Sequence, residues 1–148
     1  MSVARHFAQT YAEARAKFLA AAEAADLDAT PHVHPLRGRD GEEMALDVVR
    51  DGPHDASRVL VVSSGCHGVE GYCGSGIQIA MLGDPGLRRS ARDAGVALLY
   101  LHALNPYGFS WWRRTTQENV DLNRNFQDFS RPLPANAGYD SIAHWLVP

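Results

Sequence analysis

Two short apolar runs, Val59-Leu-Val-Val62 and Val96-Ala-Leu-Leu-Tyr-Leu101, constrain this chain more than any other feature. Each is a continuous apolar stretch of strand length, the pattern of a strand covered on both faces. Helix-forming sequence separates them. Val69 to Leu82 mixes small and apolar residues and reads as helical from about Gly74. Asp84 then precedes Pro85, an N-cap followed by proline at the first helical position. This second helix is expected to run to about Ala94, with Gly95 stopping it. Strand, helical crossover and strand predict a parallel pair with a right-handed connection, the unit of an α/β fold.

The flanking sequence adds elements to this unit. Residues 5–26 place Phe7, Tyr11, Ala14, Phe18 and Ala21 at three- and four-residue spacing, which predicts an amphipathic helix. Thr30-Pro-His-Val-His-Pro-Leu36 holds two prolines and reads as an extended connector. Met44–Arg50 has strand character after the turn Gly38–Gly41, and Asp51–Asp55 reads as a further turn. The 44–50 and 59–62 strands are close enough to pair as an antiparallel hairpin. Beyond Asn105-Pro-Tyr-Gly108 the periodicity dissolves until Asp140–Leu146, which resembles the start of a helix cut off at Pro148. The irregular stretch is rich in aromatic residues, which argues for function over disorder.

Composition excludes several partners. The 148 residues suit one domain, and the formal net charge of -3 comes without a Lys/Arg stripe, so no nucleic-acid partner is expected. No apolar run has membrane-spanning length and no secretory signal is visible, which predicts no membrane partner and a cytoplasmic location. Cys66 and Cys73 are expected as reduced thiols.

Two constellations carry candidate chemistry. The first is Ser63-Ser-Gly-Cys-His67-Gly-Val-Glu70-Gly71, at the C-terminal end of a strand, where ligands bind in open α/β sheets. An imidazole and a carboxylate three positions apart on a loop can converge on one zinc ion. Alone, His-x-x-Glu also fits a surface histidine followed by a glutamate favoured by a helix dipole. The second is Asn105-Pro-Tyr-Gly108, Trp112-Arg113-Arg114 and Asp121-Leu-Asn123-Arg124-Asn125-Phe126. Its guanidinium groups suit a carboxylate or a developing oxyanion, though arginines beside acids also form solvated ion pairs. Cys66 adjoins His67, and neighbouring residues on extended chain point to opposite sides, which argues against one ion binding both. His102 follows a strand and reads first as a packed histidine, whereas His32 and His34 read as one side of the connector, where an adventitious metal contact would be unsurprising.

Taken together and in this order, the motifs resemble the carboxypeptidase A-like zinc metallocarboxypeptidases. The strings Ser-Gly-Cys-His-Gly-Val-Glu-Gly and Asn-Val-Asp-Leu-Asn-Arg-Asn-Phe look closest to an uncharacterised bacterial branch of that superfamily. The resemblance implies an α/β fold with a mixed, mainly parallel sheet flanked by helices. It further implies that residues 1–148 are the N-terminal part of one catalytic domain. It makes His67 and Glu70 zinc ligands and Asp121 the acid that orients the first ligand. Arg113 becomes the carbonyl-polarising group, with Arg114 as the alternative. Asn123 and Arg124 become the grip on a substrate carboxylate. The implied activity is zinc-dependent hydrolysis of an amide beside a free carboxylate, on a peptide or small molecule, with one zinc ion.

The departure lies at the C-terminal side. A catalytic zinc takes three protein ligands. After Arg124 the sequence holds one histidine, His144, in a helix-like segment, and no glutamate to act as general base. The succinylglutamate desuccinylase and aspartoacylase branch shares a similar His-Gly-x-Glu loop and Asp-Leu-Asn-Arg, so an N-acyl amino acid deacylase is the alternative enzyme. An inactive fragment or binding module is the alternative outside enzymes. Strands left without neighbours predict a chain that associates or is poorly soluble.

Overall fold

The computed structural model describes residues 2–146. The helix end expected at Pro148 lies outside the described residues. A short 3-10 turn, Val3–His6, precedes the first helix, α1 (Tyr11–Ala24). The expected 5–26 helix is therefore shorter at its N-terminus. Thr10 explains the later start: its side chain accepts from the Glu13 backbone N–H, and Glu13 reaches back to the Gln9 N–H at 2.8 Å. Tyr11, Ala14, Phe18 and Ala22 form the buried stripe, and Phe7 stays partly exposed.

Four strands follow: β1 (Ala29–Arg37), β2 (Glu43–Asp51), β3 (Arg58–Ser63) and β4 (Val96–His102). Between β3 and β4 lie α2 (Gly71–Leu82) and α3 (Pro85–Asp93), and α4 (Pro106–Trp111) and α5 (Ala137–Leu146) follow β4. The sheet order is β1-β2-β4-β3. The fold is α/β with a mixed sheet flanked by helices, and parallel pairing is confined to β3–β4.

The expected β2–β3 hairpin does not form, because β4 lies between its two strands. β4 places Ala97, Leu98, Tyr100 and His102 in the interior, so the central position removes most apolar surface from water. Meanwhile the loop after β2 is tied down locally, the Arg50 guanidinium donating to the carbonyls of Pro53 and His54. The expected connector at 30–36 is the edge strand β1. Its prolines are tolerated there: an edge strand has one free side, and Pro35 falls where the β1–β2 register is irregular.

The core sits between the sheet and helices α1 and α2. Phe18 and Ala22 from α1, Ile79 and Leu82 from α2, and Val49, Leu98 and Tyr100 from the strands form one cluster. Tyr11, Met44, Ala103, Tyr107 and Phe109 form another beneath α4. Two acids on the buried side of β2 are matched by arginines. Asp47 takes a two-pronged pair from Arg15 at 2.8 and 3.1 Å, and Asp51 is held by Arg88 and Arg92. At the far edge β3 is less covered: Val59, Leu60 and Val61 are 43%, 51% and 52% exposed.

Candidate functional site

Backbone bonds between strand ends set the site. Past β3 the chain stays tied to the end of β4: Ser64 N–H donates to Leu101 O, Leu104 N–H to Ser64 O and Asn105 N–H to Gly65 O. Gln78 of α2 braces this junction. Its amide N donates to Val62 O and Leu101 O, and its carbonyl accepts from the Ser64 hydroxyl at 2.8 Å. A buried polar network with each partner matched holds its geometry firmly. The result is a fixed platform from which residues 65–70 project.

Gly68 fixes the next turn. Its N–H donates to Arg113 O at 3.0 Å. A Cβ at position 68 would lie 2.0 Å from Gly108 O and 2.4 Å from Arg113 O, so the loop packs flush against the end of α4. Gly108 faces it under the same constraint, a Cβ there meeting Arg113 O at 2.7 Å. Asn105 starts α4 by accepting the Gly108 N–H at 2.9 Å, with Pro106 at the first helical position. The 105–108 segment is thus a helix start. Trp112 ends that helix in the left-handed region, φ 56°.

His67 stands on this loop with its side chain 14% exposed. Its Nε2 lies 2.9 Å from Asp121 Oδ1, and its Nδ1 lies 3.7 Å from Glu70 Oε1. Glu70 precedes α2 without making a capping bond from its side chain, so its 68% exposed carboxylate is free to take another partner. The helix begins at Gly71, three residues earlier than expected.

Asp121 joins three groups. Oδ1 takes His67 and the Asn123 N–H at 3.0 Å, while Oδ2 takes the Arg114 guanidinium at 2.8 Å. The His67 bond first, and the Arg114 bond second, hold its carboxyl down at about 2. Arg114 rather than Arg113 therefore meets the His67–Asp121 pair. Arg113 makes a long 3.5 Å contact from its guanidinium to Asn119 Oδ1. Asn123 and Arg124 form a short 3-10 turn and both are exposed, Arg124 donating to the Asn123 carbonyl.

Other sequence candidates fall elsewhere. His102 is fully buried, its Nε2 2.9 Å from Ser75 Oγ and its ring stacked 4.5 Å from Phe18. His34 bonds Gln117 and the Leu36 N–H, and His144 packs on Trp145 in α5. Cys66 and Cys73 are free. Burial, then the nearby Asp121 charge, push the Cys66 thiol up.

The donor set fits two corners of a zinc site. Tetrahedral donors about 2.0–2.2 Å from zinc stand about 3.4 Å apart. The 3.7 Å between His67 Nδ1 and Glu70 Oε1 is close to that spacing. Among the described residues, no group of three or more His, Cys, Asp or Glu side chains gathers for a metal.

A family model described as a protein of unknown function, DUF2817, matches residues 7–148. The chain belongs to the DUF2817 family. Curated proteins give no match. Among solved structures, a glutaminyl cyclase of Porphyromonas gingivalis is similar at 11% identity and a TM-score of 0.38. The likeness covers 86% of this DUF2817 chain and 56% of the cyclase, so the chain spans little more than half of that protein's length. At this TM-score the likeness carries no argument about activity. No described helix is long and apolar enough to cross a membrane.

The resemblance implies the contact of Asp121 with His67, and the structure adds the Arg114 bond to the same carboxylate. Two features had no sequence signal, the Gln78 brace and the Trp112–Tyr72 bond at 2.9 Å, because each pairs residues distant in sequence and of common type.

Proposed function

We propose that this chain carries part of the active site of a zinc-dependent hydrolase, related to the metallocarboxypeptidases, that cleaves an amide beside a free carboxylate. The observation that carries the reading is the His67 ring. Asp121 occupies its Nε2, which leaves Nδ1 turned to Glu70 for a shared ion. A carboxylate behind a ligand histidine fixes the tautomer and raises ligand basicity. Bound between His67 and Glu70, zinc would supply polarisation of a carbonyl and a more acidic water.

The chain's own residues take distinct roles. Arg114 is engaged by Asp121 and positions it. Arg113 faces an uncharged amide, with no carboxylate partner among the described residues, and stabilises the oxyanion. Asn123 and Arg124, exposed on the turn after Asp121, hold the substrate carboxylate. The third zinc ligand and the general base lie outside this set. The same residues serve an N-acyl amino acid deacylase, and peptide against N-acyl amino acid substrates separate the two. Free thiols at Cys66 and Cys73 are in keeping with a cytoplasmic setting.

Zinc content after metal stripping and reconstitution tests the reading. Near one zinc per chain is expected, and none in His67→Ala. Uptake that ignores the substitution, or no specific uptake, removes the hydrolase reading from this chain and leaves a binding module or inactive fragment.

A further inference from the structure

The sheet has two edges, β1 and β3, and they are built differently. β1 is blunted. It carries Pro31 and Pro35, and its register against β2 shifts between Val33 and Arg37. Prolines and irregular register keep an edge strand from pairing with another chain. β3 has neither. From Val59 to Val62 it holds no proline, no glycine and no charge, and it pairs with β4 in unbroken register. Its composition is that of a strand inside a sheet, yet it has one neighbour.

Exposure shows what this edge lacks. Leu60 lies opposite Leu98 and shares its helix-covered face, and Val59 and Val61 lie on the other face. All three are about half exposed, so β3 is bare on both faces. α2 leaves the helix side open. A Cβ on Gly74 would meet the Ser64 side chain at 2.9 Å, and Gln78 donates to Val62 O, so this flank of α2 lies over β3. Ile77, three residues on from Gly74, is 49% exposed. A lone extended peptide would pair with the strand and leave this helix layer uncovered. Covering both takes a strand that arrives with a helix behind it.

We infer that the β3 edge is an association surface whose partner is the β3 edge of a second copy of this chain, the two strands running antiparallel about a two-fold axis. A second copy brings its own α2 behind its own β3. An axis normal to the sheet joins two four-stranded sheets into one and keeps both α2 helices on the same side. Charge fixes the direction. Arg58 is the one charged residue of β3. Parallel pairing in register would set two Arg58 side by side, whereas antiparallel pairing about Leu60 or Val61 sends them to opposite ends. Six residues of strand span about 20 Å, and a sheet with one helix layer is about 20 Å deep, so the two copies together cover roughly 800–1,000 Å², the size of a weak, reversible interface. Main-chain hydrogen bonds carry such a pairing, and a dissociation constant of about 1–100 μM is expected.

Sedimentation velocity of the full, metal-free chain across about 1–300 μM tests this. A monomer–dimer equilibrium is expected within that range. Val61→Lys puts a solvated charge into the new strand pair and is expected to weaken association by about tenfold or more. Val33→Lys, equally exposed on the β1 edge, is expected to leave it unchanged. A cross-link reads the same contact where Val61→Lys does not fold. With the two free thiols removed as Cys66→Ser and Cys73→Ser, Leu60→Cys or Val61→Cys, whichever lies on the axis, is expected to give a disulfide-linked dimer on mild oxidation, and Val33→Cys none. A chain that is monomeric throughout overturns the self-pairing and leaves the edge to a strand of another protein. Association that survives Val61→Lys, that Val33→Lys weakens as much, or that cross-links through neither Leu60→Cys nor Val61→Cys overturns it as well. Pairing at β3 needs no zinc, so metal uptake decides the hydrolase reading separately.

Discussion

The ends of β3 and β4 lie side by side, and each delivers a histidine into a different environment. At the end of β4, His102 is fully buried, stacked on Phe18 and bonded to the Ser75 hydroxyl, and burial pushes its pKa down to about 4. Just past the end of β3, His67 is part-exposed, with a carboxylate at each ring nitrogen. The first environment disfavours charge and rewards packing. The second offers a lone pair beside an acid, which suits an ion. Position at a strand end is thus common to both histidines, and the chemistry around the ring sets the packed one apart from the one proposed to act at a site.

The largest expected difference is in acid. Between pH 6.5 and 4 the unfolded chain protonates residue 102 and the folded chain does not, so the unfolded state binds more protons. Stability attributable to His102 is complete above the unfolded value, falls as pH drops through this window and levels off below it. The loss totals about 3 kcal/mol. Urea melts of the metal-free protein across this range are expected to show a slope that His102→Asn flattens and His67→Ala leaves in place. An equal flattening by His67→Ala would erase the contrast.

Next in size is the effect on metal. On the zinc reading proposed above, Asp121→Asn removes the charge behind His67 and is expected to weaken zinc binding by about 10–100-fold, read by competition with a chelator. Unchanged affinity would mean that Asp121 serves the loop fold alone. The smallest effect belongs to Ser75→Ala, which leaves the His102 Nε2 without its partner. A loss of about 1–3 kcal/mol in melts, with zinc affinity unaltered, would sharpen the division.

Legibility in the sequence divides along similar lines. The 96–101 run announces the central strand β4 because burial demands continuous apolar residues, and the 59–62 run announces β3 although that strand lies at the sheet edge with Val59, Leu60 and Val61 about half exposed. Asp84-Pro85 marks α3 because capping is local: Asp84 accepts from the Gly86 and Leu87 N–H groups. The order of the sheet was not legible, since loop length permits a β2–β3 hairpin and only the packing of all four strands seats β4 between them. β1 was hidden by prolines that an edge strand tolerates. At the site, the residue types of His67, Glu70 and Asp121 stood out, and the structure brings them together. The choice between Arg113 and Arg114 did not, because adjacent residues diverge and the direction of each depends on the left-handed turn at Trp112.

The facing pair Gly68 and Gly108 has a consequence for how such a chain can drift over generations. At Gly68 a methyl group would meet the carbonyl oxygens of Gly108 and Arg113, and at Gly108 it would meet the Asn105 amide nitrogen and the Arg113 carbonyl oxygen. A step to alanine at Gly68 must push the loop that carries His67 away from α4, whereas one at Gly108 must displace the Asn105 cap or the chain at Arg113. Relatives that keep Gly68 are therefore expected to retain the loop where it stands, and a lineage that has lost it is expected to have moved His67.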